Sequence, residues 1–351
     1  MSRAAIMTVF LAAAAPATAA LQPTPAAPAE APAPFVGAEG KAAVEALATA
    51  LEDNFVFPDK GKAYAAALRA KLSSGGYASF ANAEEFAKAV TADLQAVHKD
   101  GHLRLHAPRV GAGPEQRMRR GPGPESAIDK AGWIADGVAY INFAGFPGNE
   151  ATLSRLRAFL AEHSSAKTLI IDARGHRGGG LAEMDVMFPY FYARPQALVQ
   201  MDTRIAVEER RGGPLEDGPS LRKVKGPEGV IRRTHSVIPA AQATPLRSAK
   251  IYLLTSNRTA SAAEHLSLSL KRTGRATLIG ETTRGAGHYG GMIPVGGGYA
   301  AFIPVGRTFD PETNEGWEGT GVKPDVEVPA DRALDEALRR AGVAPDKVKT
   351  L

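Results

Sequence analysis

The 351-residue chain has no cysteine. That absence excludes disulfides, thiolate-bound zinc or iron–sulfur centres, a cysteine nucleophile and a lipidated lipoprotein cysteine. Neither sign of charge dominates. Lys and Arg number 42 against 37 Asp and Glu, and the net +5 identifies no partner. No apolar run beyond residue 20 approaches the roughly 20 residues needed to cross a bilayer. What is present is ordinary for a globular protein: 44% hydrophobic and 23% charged residues, in a length that suits about two domains.

Residues 1–20 read as a secretory signal peptide. Arg3 supplies the positive start, Ala4 to Ala15 the apolar stretch, and cleavage falls near Ala19 or Ala20. The expected location is periplasmic or secreted, with the membrane met only through that peptide. Residues 21–37 are rich in Pro and Ala and read as an extended linker. An N-terminal helical domain is expected over 38–106. Val44, Leu47, Leu51 and Phe55 form one stripe, and Phe86, Val90, Leu94 and Val97 form another that starts at the cap Asn82. Residues 107–130 form a Gly-, Pro- and Arg-rich connection, too short for a PDZ domain.

From 131 to 351 the pattern changes. Short apolar runs at 137–146, 168–173, 250–256 and 276–282 alternate with helical stretches at 150–163, 181–193 and 260–273. Such alternation implies an α/β core with a mostly parallel sheet and crossover helices. Residues 295–299 read as a hairpin. The stretch 198–247 reads as a charged, solvated insertion. Its basic pairs interleave with Glu208, Glu209, Glu216, Asp217 and Glu228 and lack aromatics, so no nucleic-acid partner is expected.

Open α/β sheets place their sites at the carboxyl ends of strands. Two such ends stand out. Asp172 to Gly180 (DARGHRGGG) turns a strand into a helix through three glycines, whose N–H groups can form an anion-accepting nest. It matches neither phosphate-loop pattern. Thr255 to Glu264 (TSNRTASAAE) places Ser261 at a helix start among small residues. Ser261 reads either as an N-cap or as an accessible hydroxyl beside the free helix-start N–H of Ala262. A nucleophilic serine needs a base. His98, His102 and His106 are spaced by four, but Asp100-Gly101 interrupts any helix aligning them, so no metal site and no cofactor is expected. His163 and His235 lie in charged, apparently exposed stretches, and His265 would point away from Ser261. His102, His176 and His288 remain possible bases.

In the same order along 38–330, DGHL at 100–103, DARGHRGGG, TASAAE, GETTRGAG and GWEGTGVKPDVEV resemble the C-terminal processing (tail-specific) serine peptidase family. The likeness is nearer to its branch related to interphotoreceptor retinoid-binding protein and the tricorn protease core. It implies a ClpP/crotonase-like core and the catalytic set Ser261, His102 and Glu318. It also implies an oxyanion hole from Gly178 and Ala262, with His288 as alternative base. The lysine base of the processing branch is absent, because the chain reads Gly285-Ala286-Gly287. Gly101 stands where the tricorn branch has an auxiliary serine. The expectation is an exported serine-type peptidase acting on peptides or unfolded protein. A carrier of a hydrophobic ligand, as in the retinoid-binding relatives, is the competing reading. A crotonase-type acyl-CoA enzyme fits an exported chain poorly. Substrate preference and oligomeric state have no signature in the sequence.

Overall fold

A computed structural model describes residues 32–108, 126–211 and 213–351. The signal peptide, most of the linker and residues 109–125 of the connecting segment lie outside the described residues. The elements in chain order are α1 (Gly37–Asn54), α2 (Pro58–Ser73), α3 (Ala83–Val97), β1 (Arg104–His106), β2 (Ile128–Ala135), β3 (Val138–Phe143), α4 (Glu150–Glu162) and β4 (Thr168–Asp172). Next come α5 (Ala182–Phe191), β5 (Gln196–Arg204), α6 (Ile205–Arg211), β6 (Leu221–Val224), β7 (Val230–Val237), β8 (Lys250–Thr255) and α7 (Ala262–Arg272). The chain finishes with β9 (Thr277–Gly280), β10 (His288–Gly296), β11 (Tyr299–Phe309), β12 (Val326–Glu327) and α8 (Ala333–Arg340). No helix among the described residues is long and apolar enough to cross a membrane.

The first sheet has the order β12-β9-β8-β4-β3-β2 and is parallel except for the β2–β3 pair. All five residues of β4 are buried, as expected of a strand covered on both faces. Helices α4 and α7 make the crossovers from β3 to β4 and from β8 to β9. The expected strands and helices of the core are all present, within a few residues of their expected ends.

The amino-terminal helices do not stand apart. Asn82 Oδ1 accepts the Glu85 N–H at 2.9 Å and starts α3. Phe86, Val90 and Leu94 are then buried with Val44, Leu47 and Leu51, whereas Val97, at the helix end, is 39% exposed. The same core takes in Leu105 of β1, Ile293 and Val295 of β10, and Ala301 and Ile303 of β11. The helices thus cover a second sheet, of order β1-β11-β5-β7-β6 with β10 also on β11.

That second sheet corrects the reading of 198–247 as a solvated insertion. Its segments supply β5, β6 and β7. Arg233 is 2% exposed and paired with Glu208 and Asp217, while Asp202 takes both Arg232 and Arg307. Asp202, Glu208, Arg232 and Arg233 are thus enclosed in ion pairs, whereas Glu209, Glu216, Asp217, Arg222, Lys223, Lys225 and Glu228 are exposed as expected. The exposed placement of two histidines is corrected for the same reason. His235 is fully buried, held between Asp185 Oδ1 and His265 Nε2. His163 is buried and stacks on Phe159.

Candidate active site

Two loops at the carboxyl ends of β4 and β8 run side by side. Ser256 Oγ donates to the Arg174 carbonyl at 2.6 Å, Thr259 Oγ1 to that of Ala173 at 2.8 Å, and Ala260 N–H to that of His176 at 3.0 Å. This lacing carries the chain into Ser261 with φ 58° and ψ −118°. Among the described non-glycine residues only Asn314 shares a positive φ. Asparagine tolerates that region, whereas serine there is strained by roughly 1–3 kcal/mol.

Glu264 holds the strained turn. Its fully buried carboxylate accepts from Ser261 N–H (2.8 Å), Ala286 N–H (2.9 Å), Gly285 N–H (2.6 Å) and the Thr283 hydroxyl (2.6 Å). Burial pushes its carboxyl above the ordinary value, and the four donors pull it partly back. The loop 283–286 is thereby tied to the backbone of Ser261.

Gly178 approaches Ser261 from the other loop. Its φ is +106°, and a Cβ there would lie 2.8 Å from Ser261 Cβ and 3.2 Å from Ser261 Oγ, so only glycine fits. Its N–H is directed at His176 Nδ1, 3.0 Å away. His176 is buried, and burial lowers its pKa to about 3, so the ring is neutral. Ala262 N–H opens α7, where no intrahelical acceptor exists.

The histidines separate into two environments. His102 stacks on Phe302 with ring centroids 5.1 Å apart, and its buried Nδ1 has no partner among the described residues. Burial first, then Arg104, His288 and Arg284, lower its pKa to about 4 against the opposing pull of Asp100. Its neighbour Gly101 packs on the loop that Glu264 ties to Ser261. A Cβ on Gly101 would lie 3.0 Å from the Gly285 carbonyl oxygen and 3.1 Å from Ala286 Cα. A side chain at 101 would therefore press on that backbone, which would have to give by a few tenths of an ångström. No hydrogen bond joins Ser261 Oγ to either histidine among the described residues.

His288 is buried instead beneath that loop, with Nδ1 2.7 Å from Asp100 Oδ2 and the ring edge-on to Phe55 and Phe57. Asp100 Oδ1 accepts the N–H groups of His102 and Leu103 at 2.9 and 3.0 Å. Burial pushes Asp100 up, but His288 and those N–H groups outweigh it and hold the carboxyl below its usual range. Glu318 accepts Gly101 N–H through Oε1 (2.6 Å), and Gly287 and His288 N–H through Oε2 (2.6 and 2.9 Å). It thus clamps the His102 loop to the His288 strand and makes no bond to the His102 ring.

Donor atoms of Asp100, His288 and Glu318 lie within 4.8 Å of one another, the sole such group among the described residues. Their acceptors are already taken by protein N–H groups and by each other, so the cluster is a hydrogen-bonded brace rather than an open ligand set. His98, by contrast, turns Nε2 to Lys60 Nζ at 2.8 Å and joins neither His102 nor His106 in a ligand group.

The sequence motifs single out neither Asp100 nor Glu264 as a candidate site residue. Glu264 was legible in principle, since Ser261 and Glu264 have capping-box spacing. The Asp100–His288 pair spans 188 positions and had no local signal.

Residues 137–328 match the profile of Peptidase family S41, and residues 36–131 that of its N-terminal domain in eukaryotic IRBP. The fold resembles that of a presumed peptidase from Parabacteroides merdae, with 15% identity, 89% of this chain and 99% of that one covered, and a TM-score of 0.57. It also resembles the photosystem II D1 C-terminal processing protease, with 15% identity, coverage of 87% and 97%, and a TM-score of 0.52. It spans half the length of mature CPAF, at 13% identity over 58% of this chain with a TM-score of 0.42. With the profile covering more than half of its residues, the chain belongs to Peptidase family S41.

Proposed function

We propose that the protein is an exported serine peptidase that cleaves peptide bonds through an acyl-enzyme on Ser261. The observation that carries this reading is the backbone of Ser261, strained where a cap would need no strain and enclosed by a glycine that cannot be anything else. His102 is the base. Its lowered pKa keeps the imidazole neutral and able to take the Ser261 proton as Oγ attacks the carbonyl. Glu318 positions the His102 loop through Gly101 N–H, and its charge favours the imidazolium that forms. Asp100 and His288 brace the same loop from below.

The oxyanion is received by Ala262 N–H and by Gly178 N–H, the latter turning from His176 Nδ1 onto the substrate. His102 then gives its proton to the leaving amine, and water, deprotonated by the same base, hydrolyses the acyl-enzyme. Export rests on the leader of residues 1–20. A fluorophosphonate probe tests the whole reading: it labels wild type and not Ser261→Ala. Absence of labelling in wild type, together with no peptide cleavage, would favour the carrier reading. Full activity in His102→Ala would move the base to His288.

A further inference from the structure

The site is surrounded by arginines that have no acidic partner. Arg104, Arg177, Arg258 and Arg284 are exposed on the four segments that build it, and none bonds a carboxylate among the described residues. Arg174, Arg232, Arg233, Arg272 and Arg307, by contrast, are each paired with an Asp or Glu. Unpaired guanidiniums gathered from separate loops raise the local concentration of anionic ligands and are open to new carboxylate partners.

One of the four has a place for such a partner. Arg258 lines an open cavity of about 520 Å³ with Asn142, Asp172, Arg174, Gly175 and Asp331. Asp172 is already taken, by Arg174 at 2.6 and 2.9 Å and by the Tyr140 hydroxyl at 2.8 Å. The charges left in the cavity are therefore Arg258 and Asp331. Arg258 precedes Ser261 by three residues, and Gly175 precedes Gly178 by three, on the two loops that are laced together. The cavity therefore opens on the same two loops that carry Ser261 and Gly178.

We propose that the enzyme selects substrates carrying acidic side chains near the scissile bond, with Arg258 receiving one such carboxylate in the cavity beside the Ser261 loop. The inference rests on Ser261 acting as a peptidase nucleophile. Four cations on four segments suit a stretch with several acidic side chains better than a single terminal carboxylate. Arg104 and Arg284 also face His102, together with Asp100 and His288, and an acidic substrate offsets their pull on its pKa.

The test uses quenched peptides of one sequence with Glu, Gln or Lys scanned over four positions on each side of the bond, each with a free and an amidated C-terminus. At the position that meets Arg258, Glu exceeds Gln in kcat/KM by about fivefold, the worth of a partly exposed ion pair, and Lys falls below Gln. Arg258→Gln brings the Glu/Gln ratio towards one, Arg258→Glu inverts it in favour of Lys, and Asp331→Asn raises it. Equal cleavage of all three series by an enzyme whose Ser261 is labelled overturns this inference and leaves the peptidase reading standing. A preference that disappears on amidation also overturns it, by moving recognition to the terminal carboxylate. If neither labelling nor cleavage occurs, the peptidase reading fails and this inference fails with it.

Discussion

Replacing Ser261 by glycine and by alanine separates the strain at this residue from its chemistry. Both variants remove the proposed nucleophile and are expected to be inactive. Alanine keeps the side-chain clash of φ 58°, ψ −118°, worth roughly 1–3 kcal/mol, whereas glycine has no Cβ to clash. Against that gain, glycine loses about 0.4–1 kcal/mol through the greater freedom of its unfolded chain. It also forfeits part of one methyl at a half-buried position, a fraction of about 0.8 kcal/mol. The balance leaves Ser261→Gly more stable than Ser261→Ala by about 1 kcal/mol, or about 1.5 °C in Tm at roughly 2.1 cal/mol/K of unfolding entropy per residue. Scanning calorimetry and urea titration of the two inactive proteins read the difference directly. If alanine equals or exceeds glycine, the backbone at Ser261 is unstrained, and Ser261 is an ordinary helix cap rather than a nucleophile.

Other consequences can be measured independently. Glu264→Gln sets an amide NH₂ against at least one buried N–H donor, either Gly285 or the Ser261/Ala286 pair, and lowers stability by about 2–4 kcal/mol in denaturant titration. An unchanged midpoint would refute the buried brace. Gly178→Ala drives a methyl into Ser261 Cβ, and labelling by the fluorophosphonate falls at least tenfold while far-ultraviolet dichroism stays native. Asp100→Asn removes the charge that His288 and two N–H groups share, and denaturant titration shows a loss of about 1–3 kcal/mol. The acid limb of stability follows from His102 and His176, held by burial at about 4 and about 3 against an ordinary value of 6.5. Both are lowered in the fold, so the unfolded chain binds their protons first. Their contribution is complete above about pH 6.5 and is lost as pH falls from there to about 3. A flat urea midpoint across that window would contradict the buried, neutral histidines, while a neutral His102 keeps the base competent down to about pH 4.

The alternation of apolar runs with helical stretches determined the parallel core, because a strand buried on both faces carries a continuous apolar run, as Leu169–Ile171 does within Thr168–Asp172. Local chemistry likewise marked Asn82 as a cap and Ser261 as a helix start after a strand. What stayed hidden were partnerships between distant segments. Charged residues over 198–247 look hydrated until Asp202, Arg232 and Arg307 are seen to neutralise one another inside a sheet. His235 looks exposed until Asp185 and His265 close around it. The sequence by itself determined the family, the fold class and the order of the candidate residues, since these depend on periodicity and on motifs read within a few positions. Contacts across the fold decided that Asp100 partners His288, that Glu318 clamps a loop rather than a ring, and that Gly101 packs tightly on Gly285 and Ala286. Hydrogen bonds and close contacts are made at about 3 Å between residues up to 217 positions apart, and no local pattern records which of them will meet.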